Sequence, residues 1–214
     1  MSRSETNRSF TRRLAVVAAT AASAVVLAAC GGNDSGGTSA HHSPSKSGSA
    51  PSASAGAHNA ADVAFAKGMI PHHRQAVEMA DLAAGRASSS QVKELAAKIK
   101  QAQDPEIKTM SGWLTAWGEQ VPEEMPGMDH SGHSGMPGMM SAKEMAALKK
   151  KSGKDFDTAF MEMMVGHHRG AVQMAGTEKE KGAYGPAKTL ADAVIKAQEA
   201  EIARMNGLLG KGKG

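Results

Sequence analysis

Cysteine is all but missing from this chain. Cys30 is the only one in 214 residues, so no internal disulfide can staple the fold, and a soft metal would have to be held by Met or His. Aromatic residues are nearly as scarce, with two Trp, one Tyr and four Phe, which suits a narrow core of Met, Ala, Leu and Val. Nowhere do apolar and polar residues alternate with the two-residue period of a half-buried strand. A phosphate loop, a Ser/His/Asp set and a second cysteine for redox work are also lacking, so the usual marks of an enzyme are absent.

A basic excess is lacking too, although the totals suggest one. The formal net charge is +4 and the pI about 9.2, values that alone would point to nucleic acid. Residues 1–29 hold Arg3, Arg8, Arg12 and Arg13 against Glu5, which is +3 of that +4. The arginines precede an apolar run, Leu14 to Ala29, too short for a typical membrane span and patterned as a signal peptide. The run ends Leu27-Ala28-Ala29-Cys30, which resembles the lipobox of bacterial lipoproteins. Cleavage before Cys30, lipidation of Cys30 and a membrane-anchored, extracytoplasmic protein are therefore expected. What remains is nearly neutral, and no nucleic-acid partner is expected. Residues 30–58, rich in Gly, Ser, Ala and Pro, read as a flexible tether, with His41, His42 and His58 as accidents of composition.

What the chain does have is a repeat. Phe65 to Ala80 returns as Phe160 to Ala175, with Phe65/Phe160, Met69/Met164, His72/His167, His73/His168, Arg74/Arg169, Val77/Val172 and Met79/Met174 matched at a single offset of 95 residues (167 less 72). Ala102 to Leu114 lies over Ala197 to Leu209 at the same offset. Two copies are too few for a solenoid, so one domain with internal pseudo-twofold symmetry is expected. Its boundaries are 59–214, made of copy one (59–118), a linker (119–151) and copy two (152–214).

Each copy reads as a helical hairpin. Phe65, Met69, His72, Ala76 and Met79 recur at spacings of 4 and 3, with Ile70 and His73 on the adjoining stripe, so both histidines should face inward. Asn59 and Asp62 are placed to cap the first helix, and Ser152 and Asp155 the corresponding one. In the second helix of each hairpin the inward stripe is read as Val92, Leu95, Ile99, Ala102, Glu106, Met110, Trp113 and Trp117, matched by Leu190, Val194, Ala197, Glu201, Met205 and Leu208. Carboxylates on such a stripe need partners, and Glu106 and Glu201 could bond the histidines. A short helix over Ala142–Lys150 is predicted between the hairpins. Short turns within each copy and a long linker between them give an all-α fold, a ferritin-like four-helix bundle built from two tandem helical hairpins.

A di-iron centre on such a bundle needs Glu-x-x-His. Here the residues three before the histidines are Met69, Ile70, Met164 and Val165. Met-x-x-His offers a thioether and an imidazole on one helical face, a donor pair suited to Cu(I) or Ag(I). The linker adds Met125, Met128, His130, His133, Met136, Met139 and Met140, and is expected to be a mobile copper-collecting segment, because Pro and Gly prevent a preformed site. Pro71 and Gly166 stand directly before the two His pairs. Both weaken the same helical turn. Because a metal needs neutral imidazole, affinity should fall as the pH drops through about 6.5, the ordinary His value.

The doubled F-x-x-x-M-x-x-H-H-x-x-A-V-x-M-A pattern resembles the bacterial domain-of-unknown-function family 305, over about Asn59 to Gly210. The resemblance implies an exported, ferritin-like helical protein, with copper as the ion for His72, His73, His167 and His168 together with Met69, Met79, Met164 and Met174. Glu106, Glu201, Met110 and Met205 would stand behind these ligands. The expected function is therefore a membrane-tethered copper-binding protein that buffers, sequesters or hands on Cu(I) or Cu(II), with a copper-handling protein as its expected partner, no organic cofactor and no catalysis. A structural or interaction module with buried His pairs is the alternative, and a metal-dependent oxidase a distant third.

Overall fold

A computed structural model describes residues 56–123 and 136–211. Cys30, the signal region, most of the tether, and Met125, Met128, His130 and His133 of the linker lie outside the described residues. Five helices follow in order, α1 (Ala60–Arg86), α2 (Ser90–Ala116), α3 (Ala142–Lys150), α4 (Gly153–Lys181) and α5 (Gly185–Leu208), with no strand among the described residues. The fold is all-α. Helix α1 packs along α2, α4 along α5, and the two hairpins join through α1 against α4, while α2 and α5 meet only lightly.

Local chemistry sets these ends. Asn59 and Asp62 form a capping box at the start of α1, and Ser141 and Glu144 form another at α3, so two first-turn N–H groups of α1, one of α3 and each cap's own N–H find acceptors. Ser152 occupies the cap position of α4, yet its side chain makes no capping bond. The proline at position 71 lies inside α1 and Pro105 inside α2, and both helices continue through them. Tertiary packing there outweighs the lost backbone donor.

Each aspartate at the head of a hairpin reaches across to the turn of the other hairpin. The Asp157 carboxylate accepts from the backbone N–H of Ser88 and Ser89 and from the Ser88 hydroxyl. The Asp62 carboxylate accepts from the N–H of Ala183 and Tyr184. These are the same positions in the repeat, since 157 less 62, 183 less 88 and 184 less 89 all give 95. Without them the donors at the starts of α2 and α5 would be stranded against the neighbouring hairpin.

The apolar core falls into two clusters, one at each end. The first gathers Met79 and Ala83 of α1, Leu95 and Ile99 of α2, Phe156, Phe160 and Met164 of α4, and Met205 of α5, with Met145 and Leu148 of α3 laid against it. The second gathers Phe65, Met69 and Ile70 of α1, Met110 and Leu114 of α2, Ala171 and Ala175 of α4, and Ala191 and Val194 of α5. All four long helices cross from one cluster to the other at a polar stretch. In α1 it is His72 and His73, in α4 His167 and His168, in α2 Gln103 to Glu106, and in α5 Gln198 to Glu201.

The second-helix stripe departs from expectation here. Ala102 and Ala197 are exposed, and the neighbouring glutamines Gln103 and Gln198 are buried in their place. Counting in steps of 4 and 3 from Ile99 leads to 103, 106 and 110, so the helical period favours the glutamine, and only the apolar character of alanine argued otherwise. At the far end, the last tether residues also pack: His58 stacks on Trp117 with ring centroids 4.4 Å apart, and Trp113, Trp117 and Tyr184 form an edge-to-face group beside it.

Candidate metal centre

The polar layer is assembled by helix periodicity. Residues 72 and 73 on α1 and 167 and 168 on α4 lie at the crossing of the two central helices, and all four imidazoles are fully buried. The rings of His72 and His167 approach to 3.8 Å between centroids, tilted by 41°. That contact across the pseudo-twofold axis follows from equal placement on two antiparallel helices.

Three of the four rings are held through the same nitrogen. His73 Nε2 lies 2.6 Å from Glu106 Oε2, and His168 Nε2 lies 2.6 Å from Glu201 Oε2. His72 Nε2 donates to the carbonyl oxygen of Pro137 at 3.1 Å. The Nδ1 atoms of all four rings, and Nε2 of His167 as well, are buried without a hydrogen-bond partner among the described residues, as are Oε1 of Gln103 and of Gln198. Buried polar atoms are ordinarily paired. A layer in which five imidazole nitrogens are left open is set up to receive a ligand, and lone pairs on buried imidazole are metal donors.

Burial also fixes the charge of two rings. Desolvation pushes His72 down, His73 and His168 push the same way, and the Pro137 carbonyl offsets this only in part, leaving a pKa of about 3. His167 lies well below the ordinary value for the same reasons, burial first and then His72, His168 and His73. The backbone of His72 stands close enough to lessen that depression slightly, although neither His167 nitrogen makes a hydrogen bond of full geometry. Both rings are thus neutral, and ready as ligands, far below pH 6.5. The pH dependence expected from free histidine is moved down by burial.

The end of the linker lies over this layer. Pro137 and Gly138 press on α4 where it has Gly170, and a Cβ at Gly170 would meet the Pro137 oxygen at 1.9 Å. Gly138 has φ of +79° and sits against the backbone oxygens of Gly166 and His167, a place and a conformation open only to glycine. Gln75 grips the next turn twice, donating to Met140 O at 2.8 Å and accepting from Met140 N at 2.7 Å. The linker's entry is also tied to α1, by Lys67 to Glu119 at 2.6 Å and by Arg74 Nη1 to the Pro122 carbonyl at 2.6 Å.

The thioethers divide into three groups. Met69 and Met164 are fully buried one turn before His72 and His167. Met136 and Met174 converge over Gly68, where an added Cβ would stand 3.6 Å from Met136 Sδ and 3.0 Å from Met174 Cε; both are partly exposed, as are Met139 and Met140. Met79, Met110 and Met205 are, like Met69 and Met164, fully buried inside the apolar clusters, but none of the three stands one turn before a histidine. Seven residues, about 10 Å of helix rise, separate Met79 from His72, and that methionine packs with alanine, leucine and isoleucine. Its burial reflects core filling. Met174, its partner by repeat, is instead partly exposed, packed at the edge of the second cluster.

Among the described residues no three His, Cys, Asp or Glu side chains form a ready-made cation cluster. The donors that converge are imidazoles with thioethers nearby, which fits a soft monovalent ion and not a hard one. Sequence reading did not identify Gln103, Gln198, Asp157 or the Pro137 carbonyl. The glutamines were visible as one more matched pair in the repeat. The Pro137 carbonyl had no sequence signal at all, being a backbone atom in an irregular segment.

The DUF305 family model, for a domain of unknown function, matches residues 62–209. Among solved structures, a DUF305 protein assigned to the secreted proteins of Streptomyces coelicolor is 37% identical, covering 71% of this chain and 93% of its own, with a TM-score of 0.63. A DUF305 fragment from Deinococcus radiodurans is 29% identical, covering 72% and 97%, with a TM-score of 0.64. CopM in its Cu(I)-bound form is 31% identical, covering 72% and 98%, with a TM-score of 0.57. CopM is also matched in Cu(II)-bound, Ag-bound and apo forms. No curated protein matches, and no helix among the described residues is long and apolar enough to cross a membrane.

Proposed function

The chain belongs to the DUF305 family, and from that premise we propose that it is an extracytoplasmic, membrane-tethered copper-binding protein that buffers, sequesters or hands on copper. The observation that carries this reading is the His72/His167 contact inside a layer whose Nδ1 atoms all lack a hydrogen-bond partner among the described residues. His72 and His167 would hold the ion, with His73 and His168 beside them and the thioethers of Met69 and Met164 within the same turns; Met136, Met139, Met140 and Met174 would collect it at the surface, together with Met125, Met128, His130 and His133. Copper supplies an affinity for soft donors, and the chain supplies a dry, neutral pocket. Glu106 and Glu201 orient their histidines, the carboxylate-histidine arrangement that fixes ring direction in metal sites. Support for copper over other ions comes from the CopM relatives. The signal and Cys30 support a lipid anchor on the outer face, a copper-handling protein is the natural partner, and binding, not catalysis, is the activity.

A second reading has its own observation. The two 2.6 Å His–Glu bonds would equally serve as buried cross-links of a structural module. Titrating the full chain with Cu(I) separates the two: the double variant His72→Ala, His167→Ala should lose the tightest binding and keep its helicity. If it binds copper as the native chain does but unfolds several kcal/mol more easily, as expected when buried bonded groups are removed, the structural reading prevails.

A further inference from the structure

The linker segment over the histidine layer shares a role with the two glutamates. Glu106 and Glu201 each engage Nε2 of a histidine; the third engaged Nε2, that of His72, meets a backbone carbonyl supplied by Pro137. A carbonyl oxygen can only accept, so this bond requires the proton of the neutral His72 ring to sit on Nε2 and leaves the lone pair on Nδ1. His72 Nδ1 is buried and without a partner among the described residues. Resting on the copper reading, we propose that Pro137, at the end of the linker, is a positioning residue of the metal centre, whose carbonyl sets the tautomer of His72 and so presents Nδ1 as the ligand atom.

The surrounding sequence is shaped for this. Gly170 of α4 stands where copy one has Gln75 (170 less 75 gives 95). The glycine leaves room for Pro137 on α4, and the glutamine holds Met140 on α1. One repeat position thus carries two different devices for the same strap, one steric and one hydrogen-bonding. Gly138, pressed against the Gly166 and His167 carbonyls at positive φ, completes the seat. No linker carbonyl reaches His167: only the backbone of His72 approaches its ring, and neither of its nitrogens makes a hydrogen bond of full geometry among the described residues. The two facing rings are therefore unlike: the Pro137 carbonyl fixes the tautomer of His72, and among the described residues no bond of full geometry does so for His167.

The lever is Gly170→Ala, because its methyl would occupy the place of the Pro137 oxygen while alanine favours the helix itself. The first measurement needs no metal: long-range proton–nitrogen correlation on the full chain with labelled histidine. The native protein should show His72 protonated at Nε2, and Gly170→Ala should convert it to a mixture of tautomers. The second is Ag(I) affinity by competition, expected to weaken about ten- to a hundredfold, the usual effect of removing an outer-shell partner. Gln75→Leu, which frees the strap at Met140 without crowding α4, should shift both readouts in the same direction, and serves if Gly170→Ala fails to fold. A native His72 protonated at Nδ1, or a tautomer unchanged in both variants, overturns the proposal even if Ag(I) binds. The expected tautomers in a chain that binds no Ag(I) would leave Pro137 as the determinant of the ring and overturn the copper reading instead.

Discussion

The two hairpin turns close in different ways around the same aspartate. At the α1–α2 turn, Asp157 takes the Ser88 hydroxyl as well as two backbone donors. At the α4–α5 turn the residue matching Ser88 is Ala183, which has no hydroxyl to give. The buried Glu178 approaches Asp62 instead, although neither of its oxygens makes a hydrogen bond of full geometry. Burial, the close approach of the Asp62 carboxyl and its charge raise Glu178 to about 8, with Lys188 offsetting a little. Burial pushes Asp62 up as well, but the Asn59 N–H, the Glu178 side chain and the N–H groups of Tyr184 and Ala183 together hold it below its ordinary value. Two adjacent acids cannot both ionise cheaply, so the proton stays on Glu178. Glu178 thus stands beside the aspartate of copy two, where copy one has a serine hydroxyl beside its own. The neighbours have changed with it: Ala83 and Ala87 of the first turn correspond to Glu178 and Gly182 of the second, and a Cβ at Gly182 would collide with the Glu178 carboxyl at 2.1 Å.

The comparison can be broken most severely at the aspartates. Asp62→Ala should cost about 3 kcal/mol or more, since it strands N–H groups at the second turn and also removes the α1 capping box; Asp157→Ala should cost somewhat less. Urea denaturation of the two variants measures the order. An equal loss would mean that the capping box adds nothing.

The next largest effect is of pH on the histidine layer. His72 and His167 bind a proton in the unfolded chain near pH 6.5 but not in the fold, where His72 titrates at about 3. Unfolded chains therefore hold more protons below pH 6.5, and stability should be full above that value and fall steadily toward acid. The melting temperature followed from pH 7 to 4 gives the slope. His72→Gln should flatten it, and a slope unchanged in that variant would mean that the ring is not neutral in the fold.

The two turns are then distinguished by alkali. Glu178 has its folded pKa raised from 4.5 to about 8; its contribution is full below about 4.5 and is lost as pH rises through about 8. Glu178→Gln keeps a donor at every pH and should remove this slope. Combining Glu178→Ala, Gly182→Ala and Ala183→Ser would rebuild the first turn in place of the second, with the same loss of pH dependence. Persistence of the slope in both would assign it to another group.

The smallest effect sharpens the comparison of the two weak turns before the His pairs. A Cβ at Gly166 would meet nothing within 4 Å, so Gly166→Ala should stabilise α4 by about 0.5 to 1 kcal/mol. Cu(I) affinity unchanged in that variant would show that the weak turn is tolerated and has no part in binding.

The repeat, the inward histidines, the short α3 and the hairpin order were legible in the chain, because helical spacing and a fixed offset carry that information residue by residue. So was the meeting of His72 with His167, which follows from symmetry alone. The substitution of Gln103 and Gln198 for Ala102 and Ala197 could have been read from the period, had hydrophobicity not been preferred to it. What the sequence could not settle is the pairing of each polar atom. The bond from His72 to Pro137, the Asp157 and Asp62 crossings, and the proton on Glu178 depend on which segments lie side by side and how much water is excluded between them. Those are properties of three-dimensional packing, since a backbone carbonyl carries no residue identity and a carboxyl group keeps its ordinary pKa until the fold buries it beside another.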